Sequence, residues 1–311
     1  MTTTRHLVLG AGSVGTAVAE LLAADGAEVV VLTRSGAGPD RPRVERVRGD
    51  AGDAAAVTAA ARGAAVIYNC VNPPYDRWVQ AWPPITAALL AAAESSGAVL
   101  AMAANLYPYG PVTEPMREGQ PDRPAGPKAR VRAEMTAQML ARHRAGRIRA
   151  VEVRASDYIG AGDQSVLDRV LARALAGRPV RVIGDPDQPH SWTWSPDVAR
   201  TLVAAAGHEP ALGRVWHALT NPPRTQREAV ADHCRAAGVP PVPVRALPHL
   251  ALRAVGLVNP VVRELEETRY QFVRPFVLDS RATERELGLA PTDWDDVCRA
   301  NVELVRARSG R

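Results

Sequence analysis

A single lysine, Lys128, stands among the 38 basic residues of this 311-residue chain, phenylalanine occurs twice, and cysteine three times. Each scarcity excludes something. Cys70, Cys234 and Cys298 are far apart and odd in number, so no disulfide framework is expected and the thiols should be reduced. No Cys or His pair has metal-ligand spacing, which leaves no metal to assign, and a Gly-x-Ser-x-Gly elbow is missing, which argues against a serine hydrolase. Apolar runs are too short to cross a bilayer, and Met1 to Arg5 lead straight into a strand without room for a signal peptide, so a cytoplasmic protein is expected. The net charge of +5 comes from arginines dispersed along the chain, without the basic and aromatic interleaving of a nucleic-acid surface. The expected partner is a small-molecule substrate, with neither nucleic acid nor membrane, and the chain a monomer or homodimer.

What is present is an ordinary globular composition, 46% apolar and 23% charged, in a chain long enough for about two domains. Its most informative stretch is HLVLGAGSVGTAVAELL, residues 6–22. A short apolar run ending at Leu9 reads as a buried strand, the glycines as a tight turn, and the continuation as a helix. Gly10 permits the turn, Gly12 lets a pyrophosphate approach the backbone, and Gly15 lets helix and strand pack closely, with Ser13 and Val14 supplying amides at the helix start. Beyond the next strand, Glu28 to Thr33, an NAD enzyme would place an acid against the ribose 2′-hydroxyl; here stand Thr33, Arg34 and Ser35. A guanidinium suits a 2′-phosphate, so NADP(H) is expected over NAD(H).

Further strands are expected at 44–47, 64–70, 98–103 and 148–153, separated by helices at 85–95 and 129–143. This alternation predicts an α/β fold, a Rossmann-type doubly wound parallel sheet, with a smaller and mostly helical C-terminal lobe. Residues 1–158 would bind the dinucleotide and 159–311 the substrate, with about 190–220 returning to the first domain. Ligands of such sheets bind at the carboxyl ends of the strands, where Asn72 and Asn105 lie. Asp197 is expected to cap the helix that follows it, and the stretch 248–272 to form short packed helices.

Taken together, GAGSVG, the Gly49–Asp50 pair, NLYPYG after the fifth strand and RASDYIGAGD after the sixth resemble the extended short-chain dehydrogenase/reductases, and within them the NAD-dependent epimerase/dehydratase branch. The resemblance implies that Gly10, Gly12 and Gly15 hold the pyrophosphate, Arg34 the adenosine phosphate, Asp50 and Ala51 the adenine edge, and Val71 and Asn72 the nicotinamide ribose. It also implies a Ser or Thr after the fifth strand and a Tyr and Lys four residues apart on the next helix. The chain departs from that pattern. Four residues before Lys128 stands Pro124, and Ala104 or Asn105 takes the Ser/Thr place.

Three readings follow. Lys128 holds the nicotinamide ribose, beside Asn105, while Tyr107, Tyr109 or Tyr158 supplies the proton, with Tyr109 the first candidate; or the substrate or water supplies it; or the chain binds NADP without chemistry. Tyr107 and Tyr158 are also expected as substrate walls. His190, Trp192 and Trp194 lie on a stretch that could cover a flat, apolar ligand, although two alternating tryptophans equally suit one face of a core strand. The resemblance to ketoreductases that tailor aromatic, angucyclinone-like polyketides implies an NADPH-dependent carbonyl reduction in antibiotic biosynthesis. A nucleotide-sugar epimerase or dehydratase and a non-catalytic NADP sensor are the alternatives.

Overall fold

A computed structural model describes residues 4–250, 252, 257, 264 and 266–309, of Asp163 the backbone alone. Its centre is a parallel sheet of seven strands. Six of them are β1 (Arg5–Leu9), β2 (Glu28–Thr33), β3 (Val44–Arg48), β4 (Ala64–Asn69), β5 (Val99–Asn105) and β6 (Arg149–Ala155); of the later strands β7 (Asp157–Ile159), β8 (Val180–Val182), β9 (Trp192–Trp194), β10 (Val215–His217) and β11 (Val244–Ala246), β10 is the seventh. The sheet order is β10-β6-β5-β4-β1-β2-β3. The chain therefore leaves β1 in one direction to β2 and β3 and returns to its other side for β4, which opens a crevice at the carboxyl ends of β1 and β4.

Alternation along the strands divides the core in two. Leu7 and Leu9 point with Val30 and Leu32 to the face covered by α2 (Ala54–Ala60), α3 (Trp78–Ser96) and α4 (Pro127–Arg144). Val8, Val29 and Val31 point to the other, under α1 (Ser13–Ala24) and α6 (Ser195–Gly207). Burial on both faces is why β1 and β2 read as continuous apolar runs. A third core joins α5 (Asp168–Leu175), α7 (Gln226–Ala236) and α9 (Trp294–Ser309) to the short pairs β7·β9 and β8·β11. Among the described residues the remaining helix is α8 (Arg281–Leu287). The expected division at 158/159 falls inside β7, and α6 with β10 lies against the main sheet.

Two expectations about local structure are corrected. The helix expected from Ile85 begins at Trp78 and carries Pro83 and Pro84 within it. Proline reads as a stop, but Trp78 and Trp82, one turn apart, are buried edge-to-face with ring centroids 6.0 Å apart and hold the preceding turn in place. Asp197 is not a cap: α6 starts at Ser195, and the Asp197 carboxylate instead accepts from Thr292 N (2.8 Å) and Oγ1 (2.7 Å), tying the helix to a distant loop. Trp192 and Trp194 form β9 and face the third core, which is the second of the two readings given for them, and neither lines the cavity described below. Of the helical stretch expected at 248–272, residues 251, 253–256, 258–263 and 265 lie outside the described residues. Among the described residues no helix is long and apolar enough to cross a membrane, and Cys70, Cys234 and Cys298 are free.

Candidate functional site

The three glycines of the first turn meet three different constraints. Gly10 has φ +91°, and a Cβ there would lie 2.8 Å from the Cys70 carbonyl oxygen, so turn and β4 end touch through backbone alone. At Gly15 a Cβ would fall 2.0 Å from the Gly10 oxygen; only glycine lets α1 begin so close to the turn. Gly12 is the opposite case, since a Cβ there meets nothing within 4 Å. Its open side faces a cavity, and α1 begins just after Gly12 without a side-chain cap, leaving its first amides for an anion. The turn thus fits a dinucleotide pyrophosphate.

At the end of β2, Thr33 Oγ1 donates to the Ala37 carbonyl (2.8 Å), while Arg34 and Ser35 are exposed. Asp50 receives the Gly52 amide (2.8 Å) and Ala51 is buried beside it, at the end of β3. This rim carries a guanidinium and no carboxylate directly after β2.

From Gly12, Ser13 and Val14 a cavity of about 310 Å³ runs past Val71, Asn72 and Asn105 into a chamber walled by Tyr75, Trp78, Trp82, Tyr107 and Phe272. Asn72 Nδ2 reaches Gln164 Oε1 (3.3 Å) across its wall, and Asn105 Oδ1 accepts from Tyr107 N (3.2 Å). Trp78 and Trp82 of this chamber come from the first turns of α3, ahead of the helix start expected at Ile85.

Lys128 does not line the cavity. Its Nζ pairs with Glu264 and with Glu267 Oε2 (3.1 Å), and it lies 4.8 Å from the centre of the Tyr75 ring. Burial pulls its pKa down, but the hydrogen bonds it donates to both glutamates outweigh this and the net shift is upward, so the ammonium persists. Arg132, one helical turn later, does reach the cavity. It is 4% exposed, its guanidinium lies 4.5 Å from the Trp82 ring centre, and Nη2 donates to the Ala103 carbonyl (3.0 Å). Among the described residues no carboxylate lies within ion-pair distance of it. Burial lowers its pKa, with Glu152 opposing, yet a guanidinium stays charged in proteins. Of the i, i+4 pair Lys128–Arg132 on α4, Arg132 alone faces the site.

The tyrosines separate. Tyr107 and Tyr158 line the cavity. Tyr107 Oη lies 3.5 Å from Tyr75 Oη, which meets Thr268 Oγ1 at 3.1 Å, and Tyr158 Oη donates to the Ala104 carbonyl (3.3 Å). Burial raises the pKa of Tyr75, of Tyr107 and of Tyr158, keeping all three neutral. Tyr109 is placed elsewhere. The tight turn at Pro108 sends it to the other side, 2% exposed, where Oη contacts His217 Nε2 (2.9 Å) under the Arg154 guanidinium; burial pushes its pKa up to about 12. A proton donor for the cavity cannot be drawn from a phenol held in this way.

His190 stands behind the wall rather than in it. Its ring stacks on Phe272 and Phe276, its Nδ1 meets the Gln271 carbonyl (3.2 Å) and its Nε2 meets Asp157 Oδ2 (2.7 Å); Asp157 does line the cavity. Arg132, Asp157, Tyr75, Trp78, Trp82 and Phe272 are among the wall residues that the sequence does not reveal. Among the described residues no group of His, Cys, Asp and Glu could hold a metal ion.

The sequence profile of the NAD dependent epimerase/dehydratase family matches residues 6–217. Among solved structures, the chain is similar to the UDP-glucose 4-epimerase of Thermotoga maritima bound to UDP-glucose, at 16% identity over 98% of this chain and 100% of that one, with a TM-score of 0.80. It is also similar to the UDP-glucose 4-epimerase of Thermus thermophilus in complex with NAD (22% identity, 97% and 99% covered, TM-score 0.77). The dTDP-glucose 4,6-dehydratase of Bacillus anthracis in complex with NAD matches at 16% identity over 99% and 98% of the two chains, with a TM-score of 0.80. A search of curated protein sequences found no match.

Proposed function

The chain belongs to the NAD-dependent epimerase/dehydratase family, and from that premise we propose that it is an NADPH-dependent ketoreductase of the cytoplasm, acting on a flat, apolar ketone of the aromatic polyketide kind in antibiotic biosynthesis. The observation that carries this reading is a single cavity joining the Gly12 turn to a chamber of Tyr75, Trp78, Trp82 and Tyr107. Aromatic walls suit a planar substrate, with a few polar groups to orient it. The angucyclinone ketoreductase of simocyclinone biosynthesis, which the sequence resembles, is the natural comparison.

Gly10, Gly12 and Gly15, with the amides of Ser13 and Val14, would hold the pyrophosphate. Asp50 and Ala51 would flank the adenine, Arg34 with Thr33 and Ser35 the 2′-phosphate, and Val71, Asn72 and Arg132 the nicotinamide ribose. Arg132 takes the place proposed for Lys128 because Lys128 is engaged by Glu264 and Glu267. The reduced nicotinamide would supply hydride to the carbonyl carbon. Asn105 would fix the Tyr107 loop against the substrate, and the aromatic chamber would exclude water and align the ketone, an alignment worth up to ~7–11 kcal/mol. NADP(H) rests on Arg34, although the similar structures from Thermus and Bacillus hold NAD.

A second reading has its own support. Arg169 lines the cavity with Arg132, and cations there suit the diphosphate of a nucleotide sugar. One experiment separates the two. The purified protein is mixed with NADPH and 9,10-phenanthrenequinone or a hydroxyanthraquinone, and loss of reduced-nicotinamide absorbance is followed. Turnover supports the reductase. Tight NADPH binding without turnover favours a sensor, and interconversion of UDP-sugars with retained oxidised cofactor and no net redox change favours the epimerase.

A further inference from the structure

We propose that Asp157 and His190 form the proton-donating pair of this site, replacing the tyrosine that the helix α4 does not provide. The inference rests on the ketoreductase reading and supplies the group that reading leaves unnamed. A carbonyl oxygen only accepts hydrogen bonds, so the contact of His190 Nδ1 with the Gln271 carbonyl at 3.2 Å requires a proton on Nδ1. The 2.7 Å contact between Nε2 and Asp157 Oδ2 then joins two lone pairs unless it too holds a proton. Both contacts are hydrogen bonds only when the imidazole is doubly protonated against the carboxylate, or when the acid keeps the shared proton.

The surroundings favour keeping that proton. His190 is 2% exposed and stacked between Phe272, Phe276 and Trp192, so neither nitrogen has water in place of its partner. β7 sets Asp157 directly opposite Trp192 in the β7·β9 pairing, two residues from His190, so the geometry is built by the sheet and not by a loose loop. Asp157 is the member that faces the cavity. The groups packed around it are Tyr107, Tyr158 and Tyr270, all pushed upward by burial, so none competes as an acid near neutrality; Arg132 and Arg169 are the cations of the same wall.

The step balances. As hydride forms the new C–H bond and the reduced cofactor is oxidised, the carbonyl oxygen takes the proton of the pair through Asp157, forming O–H. Neutral His190 keeps Nδ1–H on Gln271, and its bare Nε2 against the carboxylate draws the next proton from solvent at the cavity mouth. Asp157 is the catalytic residue, and His190 is the positioning residue that holds its proton.

The first measurement needs neither cofactor nor substrate. Nitrogen-resolved NMR of the free protein is expected to show a proton on His190 Nδ1 and a second proton held in the Nε2–Asp157 contact, on Nε2 or donated to it by the acid, with the Nε2 signal displaced in Asp157→Asn; an Nε2 with no proton in that contact overturns the proposal. The second is single-turnover reduction of a ketone without an adjacent phenol, 2-tetralone, by the NADPH-loaded enzyme. Asp157→Asn is expected to lose about 100-fold in rate with unchanged KM for NADPH, and to lose the decline at high pH expected of the wild type. On 1-hydroxyanthraquinone, whose phenol can serve instead, the loss should be much smaller. Equal rates and pH profiles for wild type and Asp157→Asn on 2-tetralone overturn the pair as donor, whereas a wild type that reduces no ketone overturns the ketoreductase reading and leaves the NMR result to stand by itself.

Discussion

Lys128 and Arg132 stand one turn apart on the same buried face of α4, and only Arg132 reaches the cavity. The difference comes from outside the helix: Glu264 and Glu267 hold the Lys128 ammonium, whereas the Arg132 guanidinium lies against Trp82, with no carboxylate among the described residues paired to it. Arg132→Met is therefore expected to weaken NADPH binding about 10- to 100-fold, the worth of a charge-assisted hydrogen bond. Lys128→Met should leave binding unchanged and lower the unfolding temperature, because two part-buried carboxylates lose their cation. Titration calorimetry with thermal unfolding checks both, and the reverse pattern would show that Lys128 is the cofactor ligand.

Gly12 and Gly15 make a paired test of the turn. A Cβ at Gly12 has space, so Gly12→Ala should keep the unfolding temperature and lower cofactor affinity by at least about tenfold. At Gly15 the Cβ would collide with the Gly10 oxygen, and Gly15→Ala should cost about 3 kcal/mol or prevent folding. Unchanged affinity in a folded Gly12→Ala protein would remove the pyrophosphate from this turn.

Arg34 is exposed, so its loss should not touch the fold. Arg34→Ala is expected to weaken NADPH about 10- to 100-fold and leave NADH as it was. If the two cofactors already bind the wild type equally, the preference for NADP(H) fails, whatever the variant does.

Tyr109 tests the structural side of the same loop. The His217 Nδ1 donates to the Asp279 carbonyl (2.8 Å), so its Nε2 accepts the Tyr109 hydroxyl. Tyr109→Phe leaves that acceptor buried and bare, at a cost of about 1–3 kcal/mol in chemical denaturation, with turnover retained. A folded variant without turnover would return Tyr109 to the chemistry.

Burial lowers the pKa of His6, His217 and His233, so the folded chain resists protonation that the unfolded chain accepts. Their stabilising effect is complete above the ordinary histidine value of about 6.5 and is lost as pH falls below it, by up to about 1.4 kcal/mol per pH unit for each proton. Asp279, held down to about 2 by Arg281, adds a loss only below the ordinary carboxylate range. Urea unfolding at pH 7 and pH 5 should show the first loss; a flat profile would mean that the histidines protonate without unfolding.

The sequence by itself determined the parallel sheet and the glycine turn, because both are local. An apolar run buried on two faces, and glycines at fixed offsets, carry their physics in adjacent residues, and the strand at Glu28–Thr33 coincides with its expected bounds. The wall of the chamber was not legible in that way. Trp78 and Trp82 were hidden behind Pro83 and Pro84, whose helix-breaking signal is local while the packing that overrides it is not. The orientation of Tyr109, the burial of Trp192 and Trp194, and the meeting of His190 with Asp157 depend on residues far apart in the chain. Only tertiary structure decides which side of a turn a side chain faces, which cation finds a carboxylate, and which acid is left facing the cavity, because desolvation and ion pairing act between elements brought together by the fold.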